Sequence, residues 1–328
     1  MESSHAPCSS TALVVRVDAR QCEVLLDGEV RAALLRGRLF EERGIDKSPV
    51  AVGDLVTISY EKDDIAIDEV QERRNTFARR VAGEDYDLRQ ILATNVDQVI
   101  VVNSVGVPPF SSIVADRILT TCSFADIPAM LVLNKIDKSN PRKLERISES
   151  YRDAEVQVLQ TSAITGDGMD GLLKVLRDKT SVLYGLSGVG KSTLMNYIDP
   201  ELKLETREAS NSLRSGRHTT TYSQWLPLVI GGAVIDTPGV RKFRPYGIPP
   251  HELRLHFAEM REMGAACRFP ACMHRDEPDC AVIAAHESGE LAKSRYRSYL
   301  ELLEELESVY GGTGRNEVKD GPDHKARR

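Results

Sequence analysis

Apolar and polar positions alternate in two rhythms along this chain, and the change of rhythm divides it. From "TALVVRVDARQCEVLLDGEVRAALLRG" through "AVGDLVTISY" to "DIAIDEVQER", short β-rich runs are punctuated by polar or Gly-containing turns. About five strands in about sixty residues, with no long helical period except around Phe40 to Gly44, predict a small β-barrel. An OB-fold is the first choice, and an SH3-like barrel would read much the same. Past the basic link "ERRNTFARR" the rhythm changes: "VDQVIVVNS", "AMLVLNKID" and "EVQVLQTSA" read as buried strands, with helices over 111–122, 141–153 and 169–177. Strands alternating with helices imply right-handed crossovers and a mainly parallel sheet. "SVLYG" adds a strand, and "SQWLPLVIGGAVIDTPG" predicts a hairpin turning at Gly231-Gly232, with Trp225 read as core. From "HELRLHFAEMRE" the period is helical, broken by a Cys/His cluster and resumed in "SGELAKSRYRSYLELLEELESVY". The expected organisation is a flexible lead-in (1–10), a barrel (11–76), an α/β domain (77–245), a helical metal-binding domain (246–310) and a polar, disordered tail (311–328).

Composition narrows the function. At 328 residues and 41% hydrophobic content the chain has material for more than one core. No window approaches the roughly 18 consecutive apolar residues of a membrane helix, and the start "MESSHAPCSSTALVV" lacks the basic and apolar regions of a signal peptide, so a soluble cytoplasmic protein is expected. A net charge of -6 argues against wholesale non-specific binding to nucleic acid, which leaves local basic patches for any RNA contact. Of the six cysteines, Cys8, Cys22 and Cys122 are scattered, whereas Cys267, Cys272 and Cys280 crowd around His274. "CRFPACMHRDEPDC" spells C-x4-C-x-H-x5-C, a closed set of three thiolates and one imidazole suited to one tetrahedral, structural zinc ion per chain.

"YGLSGVGKST" carries G-x-x-x-x-G-K-[ST] between an apolar strand and a helical pattern. Gly185, Leu186, Ser187, Gly188, Val189 and Gly190 form a loop whose backbone N–H groups can surround phosphate oxygens, helped by the helix dipole. Lys191 is placed to reach the β- and γ-phosphates, Ser192 to ligate Mg²⁺, and Thr193 completes the motif. "DTPG" follows a strand, with Asp236 expected at the Mg²⁺ shell and the Gly239 N–H at the γ-phosphate. "NKID" ends another strand: Asp137 can accept both guanine N1–H and the N2 amino group, Asn134 braces the loop, and Lys135 lies between them. "TSA" (Thr161, Ser162, Ala163) resembles the loop whose N–H meets guanine O6. Each match is short, but four at strand ends reinforce one another.

Together they resemble the TRAFAC-class GTPases, with one difference of order. The usual succession is P-loop, switch I, DxxG, NKxD, SA, whereas here NKID and TSA come first, which is a circular permutation. Binding loops sit at strand C-termini whichever strand comes first, so the site can survive the rewiring. The chain then leaves the sheet just after DTPG, tying switch II to the helical, metal-binding segment beyond it. A β-barrel, a permuted GTPase with "RHTTT" in switch I and a Cys3His domain resemble the RsgA (YjeQ) family of small-ribosomal-subunit biogenesis GTPases over about residues 11 to 310. The resemblance implies a monomeric GTP/GDP-binding enzyme that binds the 30S subunit and its rRNA late in assembly. It also implies that Thr220 coordinates Mg²⁺, with Thr219 as fallback. Asp279, before Cys280, departs from the Gly often found there in the family.

In Ras-like proteins the residue after DxxG is a Gln that orients water, and Val240 stands in its place. His218, just before the switch threonines, is the local candidate to position water; otherwise the group must come from a partner. For RNA, the barrel face and Arg73, Arg74, Arg79 and Arg80 in the link are the candidates, although a charge run is often only a solvated face. Two other functions fit less of the sequence: a zinc-stabilised RNA-binding scaffold in which nucleotide only orders the fold, and a permuted GTPase for another RNA.

Asp137→Asn is expected to shift preference from GTP towards xanthosine triphosphate, because its amide offers a donor where guanine also offers one. Competition binding of the two nucleotides checks it, and unchanged GTP selectivity would overturn the NKID assignment.

Overall fold

The structure, a computed structural model, describes residues 10–18, 22–61, 64–81, 88–204, 223–237 and 243–311. Five strands, β1 (Ser10–Val17), β2 (Cys22–Leu26), β3 (Glu29–Leu35), β4 (Leu55–Glu61) and β5 (Asp64–Val70), pair in the order β1-β2-β3-β5-β4, and β4 returns to β1. That closed order makes the barrel an OB-type Greek key. Alternate residues point inward, so Val14, Val24, Val56, Ile58 and Ile67 are fully buried. The tight β2–β3 turn uses Asp27-Gly28, both with positive φ, as a two-residue hairpin requires. A short helix, α1 (Gly37–Glu42), lies between β3 and β4, slightly earlier than its sequence pattern suggests.

The supposed basic link is itself a strand. β6 (Thr76–Arg80) pairs antiparallel with β7 (Arg89–Thr94), with Phe77 opposite Ala93, both buried. Its arginines obscure an alternation in which Phe77 packs on Tyr184 at 5.9 Å and on Phe243 at 5.7 Å between ring centroids. Behind the hairpin Asp54, fully buried, accepts bonds from Arg73 Nε and Nη2, the Thr94 hydroxyl and the Ala51 N–H, each at 2.8 Å. This carboxylate ties barrel, link and hairpin together.

The second sheet runs β10 (Gln157–Thr161), β9 (Ala129–Asn134), β8 (Gln98–Ser104), β11 (Thr180–Tyr184), β13 (Ala233–Asp236) and β12 (Gln224–Pro227), all parallel except β12. Every residue of β8 is buried, the mark of a strand covered on both faces. Val99 and Val101 face α2 (Ser112–Phe124) and α3 (Pro141–Arg152), whereas Ile100 and Val102 face α4 (Met169–Leu176) and α5 (Lys191–Ile198). Trp225 packs against the first of these clusters, as expected of a core side chain. One register pair, Arg16 with Gln224, joins β1 to β12 and makes the barrel and the parallel sheet continuous.

The C-terminal unit has a 3₁₀ turn (Pro250–His256) and helices α6 (Ala258–Gly264), α7 (Ala281–Ser288) and α8 (Lys293–Gly311) around its own core. It docks on α2. Arg295 of α8, 3% exposed, donates to both Glu259 oxygens at 2.7 and 3.1 Å and to Asp116 of α2, which also accepts the Tyr151 hydroxyl at 2.8 Å. Its guanidinium lies 4.6 Å from the Phe257 ring centroid and 5.1 Å from that of Tyr151. Burial opposes the Arg295 charge, but Asp116 and Glu259 outweigh it and raise the pKa. Ile113 adds an apolar contact, and Arg117 donates its Nε to Glu305 at 3.0 Å.

Arg295→Met is expected to cost roughly 3–5 kcal/mol, because it leaves two buried carboxylates without their cation. Removing the more exposed Arg117–Glu305 pair should cost less than about 1 kcal/mol. Urea midpoints of the two variants test the contrast, and equal losses would contradict it.

Candidate functional site

The parallel strands end on one edge, and the loops leaving β9, β10, β11 and β13 gather there. Gly190 has φ +102, and an added Cβ would stand 2.3 Å from Asn134 Nδ2. Only glycine lets the phosphate loop turn there and lie on the NKID loop. Asn134, 2% exposed, donates to the Val189 carbonyl at 2.9 Å and accepts the Thr161 hydroxyl at 3.2 Å. One buried amide therefore spans three loops. Lys135, at φ 65, sends Nζ to the Gly188 and Val107 carbonyls, each at 2.6 Å. Ser162, 1% exposed, donates to Asp137 Oδ1 at 2.7 Å, which orients an otherwise exposed carboxylate; Ala163 follows, half-buried against the core beneath the sheet.

In the phosphate loop Gly185 is buried, Val189 packs into the core with Leu186 against it, and Ser187 is exposed. Lys191 donates to the Gly185 carbonyl at 2.8 Å. Burial pushes its pKa down and that of Asp236 up, and the charge of each opposes the shift of the other. Two opposite charges thus face each other at the mouth of the loop, where a phosphate would meet Lys191 and a cation would meet Asp236. Ser192 and Thr193 open α5, half-buried. Thr237, buried, donates its hydroxyl to the Leu183 carbonyl at 3.1 Å and sets the direction in which DTPG leaves β13. His218, Thr219, Thr220, Gly239 and Val240 lie outside the described residues.

The chain does not run freely from DTPG to the metal cluster. Phe243 is buried against Phe77 and Tyr184, and the Arg80 N–H donates to the Arg244 carbonyl at 2.9 Å, so the exit from switch II is pinned to β6. The four basic candidates have separate surroundings. Arg73 is bound to Asp54, Arg80 is 6% exposed with its guanidinium 5.4 Å from the Tyr246 ring centroid, and Arg79 donates to Gln90 at 2.9 Å. Arg74 pairs with Asp97 at 2.8 Å and keeps 58% of its side chain exposed. Sequence reasoning missed the Lys135, Thr161 and Ser162 contacts, which join residues far apart in the chain.

At the other end, the ligand atoms of Cys267, Cys272, His274 and Cys280 lie within 4.8 Å of one another. His274 Nδ1 is 3.6 Å from Cys267 Sγ and 3.4 Å from Cys280 Sγ, and the two sulfurs are 3.8 Å apart. Metal bonds of about 2.0–2.3 Å at tetrahedral angles give edges of about 3.5–3.8 Å, so the donors fit one metal ion. His274 and Asp279 have φ of 57 and 56, turning the backbone to bring the ligands round. Asp279 tolerates the left-handed conformation that suits glycine, and it pairs with Arg268 at 2.9 Å, so Cys280 keeps its place. Tyr296 and Tyr299 of α8 donate their hydroxyls to the His274 and Met273 carbonyls at 2.8 and 2.7 Å.

A parallel sheet with the NKID and TSA loops ahead of its P-loop, a barrel before it and a Cys3His unit after it define a circularly permuted P-loop GTPase. The RsgA GTPase family description matches residues 70–245. The chain belongs to that family, and it is a GTPase. It is 39% identical over 286 residues to a Chlorobaculum tepidum protein named small ribosomal subunit biogenesis GTPase RsgA, covering 85% of this chain and 91% of that protein. It is 37% identical to a Phocaeicola vulgatus protein of the same name, over 86% and 92% of the two chains. Among solved structures it resembles YjeQ from Thermotoga maritima, with TM-score 0.68, 31% identity and coverage of 94% and 100%. It also resembles YloQ, described as a circularly permuted GTPase, with TM-score 0.65, 28% identity and coverage of 94% and 98%.

Chelation, or Cys272→Ser, should unfold the C-terminal unit while nucleotide binding at least partly persists, since the P-loop belongs to a separate core. Metal analysis of freshly purified, reduced protein should find about one equivalent of metal per chain. Less than about half would count against a structural ion.

Proposed function

We propose that this GTPase acts in maturation of the small ribosomal subunit, binding the 30S particle and its rRNA in the cytoplasm and hydrolysing GTP faster when docked there. The observation that carries the proposal is the permuted site itself, with Asn134 joining guanine and phosphate loops, in a chain similar along most of its length to proteins named for small-subunit biogenesis. No helix among the described residues is long and apolar enough to cross a membrane.

In this reading Asp137 and the 161–163 loop select guanine, the 185–190 loop and Lys191 hold the phosphates, and Ser192, Thr220 and Asp236 hold Mg²⁺. The Gly239 N–H senses the γ-phosphate. With Val240 in place of a glutamine, intrinsic hydrolysis is slow, and His218 orients the attacking water when the protein is docked. The Cys3His ion is zinc, because three thiolates and an imidazole in a closed tetrahedral set suit that metal and leave no open position for chemistry. Among the basic residues Arg74 is the favoured contact to RNA, because its side chain reaches solvent, and Arg79 comes second. Replacing Arg73 or Arg80 would disturb packing as well as RNA binding.

30S subunits should raise GTP turnover at least ten-fold, which needs only about 1.4 kcal/mol of transition-state stabilisation, and 50S subunits should not. His218→Ala should lose most of the stimulated rate while still binding GTP. Unchanged turnover at saturating 30S would favour the scaffold reading, and a His218→Ala protein stimulated like wild type would move the catalytic group onto the ribosome.

A further inference from the structure

The stretch that follows DTPG is fastened at its front and at its rear to the same strand. At the front, Asp236 stands in register with Leu183 of β11, and Thr237 donates its hydroxyl to the Leu183 carbonyl at 3.1 Å. At the rear, Phe243 meets the next residue of that strand, Tyr184, edge to face with ring centroids 5.2 Å apart. Phe243 also stacks on Phe77 of β6 at 5.7 Å with 24° between the ring planes, and Phe77 meets Tyr184 edge-on at 5.9 Å. Offset stacks and edge-on contacts are the arrangements that aromatic quadrupoles favour, and all three rings are buried. The Tyr184 hydroxyl is buried with no hydrogen-bond partner among the described residues, so its ring and not its oxygen makes the contact. Because Tyr184 directly precedes Gly185, both fastenings stand at the root of the phosphate loop.

The rear fastening has its own support. The Arg80 N–H donates to the Arg244 carbonyl at 2.9 Å, and buried Pro245 restricts Arg244 to extended backbone. Phe77 is paired with Ala93 in the β6–β7 hairpin, which Asp54 ties to the barrel through Arg73 and the Thr94 hydroxyl. Phe243 is therefore held between the strand that leads into the phosphate loop and a hairpin outside the parallel sheet. Only five residues, 238–242, separate the two fastenings, and Gly239 is among them. A segment tied at both ends has fewer arrangements to lose when one of its N–H groups must meet a phosphate. Precision at such a group matters, since a misplacement of about 1 Å can cost about a hundred-fold in rate.

We propose that Phe243, seated between Phe77 and Tyr184, is a positioning residue for GTP hydrolysis. It fixes the rear of switch II against the root of the phosphate loop, and with it the place from which the Gly239 N–H meets the γ-phosphate. The inference rests on the reading of Gly239 given above, but not on binding to the 30S subunit.

The experiment uses full-length, metal-loaded protein without ribosomes, and measures single-turnover GTP hydrolysis beside affinities for GDP and for a non-hydrolysable GTP analogue. Phe243→Leu and Phe77→Leu should each slow hydrolysis by about ten-fold and weaken the analogue by about three-fold or more, while GDP affinity stays within about two-fold of wild type. The double variant should be little slower than Phe243→Leu alone, because the stacked rings act as one unit. Inserting Gly-Gly between Lys242 and Phe243 lengthens the segment without touching the rings, and should slow hydrolysis and weaken the analogue in the same sense. Val24→Ala opens a cavity in the barrel core and should change neither, which separates positioning from loss of stability. GDP affinity falling in step with analogue affinity, or hydrolysis at the wild-type rate in the folded insertion variant, overturns the proposal; if the leucine variants do not fold, the insertion decides alone. Gly239→Ala tests the underlying reading and should lower analogue affinity relative to GDP. An unchanged ratio there refutes that reading and the proposal with it, whereas a lowered ratio beside an unaffected insertion variant refutes the proposal alone.

Discussion

Arg295 is the hinge pin of the assembly. Its guanidinium enters a site closed to water, where a carboxylate from the GTPase helix α2 and one from α6 meet it between two aromatic rings. Buried ions are tolerable only when every partner is present, so this contact does not slide as an apolar one can. α8 also carries Tyr296 and Tyr299, whose hydroxyls hold the ligand loop of the metal cluster. One helix therefore serves both the metal site and the GTPase docking, through residues about one turn apart. The C-terminal unit is oriented by α2, while the covalent path from switch II is stitched separately to β6 through Phe243 and Arg244.

The nucleotide edge obeys a similar economy. Permutation changes which strand comes first but not which end of each strand faces the ligand, and the parallel order keeps the loops after β9, β10 and β11 adjacent. Asn134 and Lys135 then bond the 185–190 loop directly, so the NKID loop and the phosphate loop share one set of contacts. Lys135 also reaches Val107, in the segment between β8 and α2. From metal cluster through α8, Asp116 and α2 to the phosphate loop, the molecule is a contiguous series of packed and bonded groups, the material through which two sites can influence each other.

Much of this was readable beforehand. The parallel sheet showed in uninterrupted apolar strands, the phosphate loop in its glycines and Lys191, the metal cluster in four donors within fourteen residues of one another. The β6–β7 hairpin was not, because Arg79 and Arg80 disguised an alternation whose meaning comes from Phe77 meeting Tyr184 and Phe243. The clasp on Asp137 by Ser162 was hidden for a related reason: a serine in a loop has no spacing signature until the partner loop is beside it.

Sequence alone determined the local chemistry: which segments form strands or helices, which loop can turn around phosphate, which four side chains can take a metal. Each of these depends on residue types at short, fixed separations, where periodicity and steric limits act directly. Tertiary structure decided what the charged residues are for. Arg73 and Arg295 look like surface charge in a linear reading, yet Arg295 closes on Asp116 across 179 positions and Arg73 on Asp54 across 19. Burial makes those pairs matter, because a charge removed from water must find its opposite, and no local pattern records where the fold will bring one.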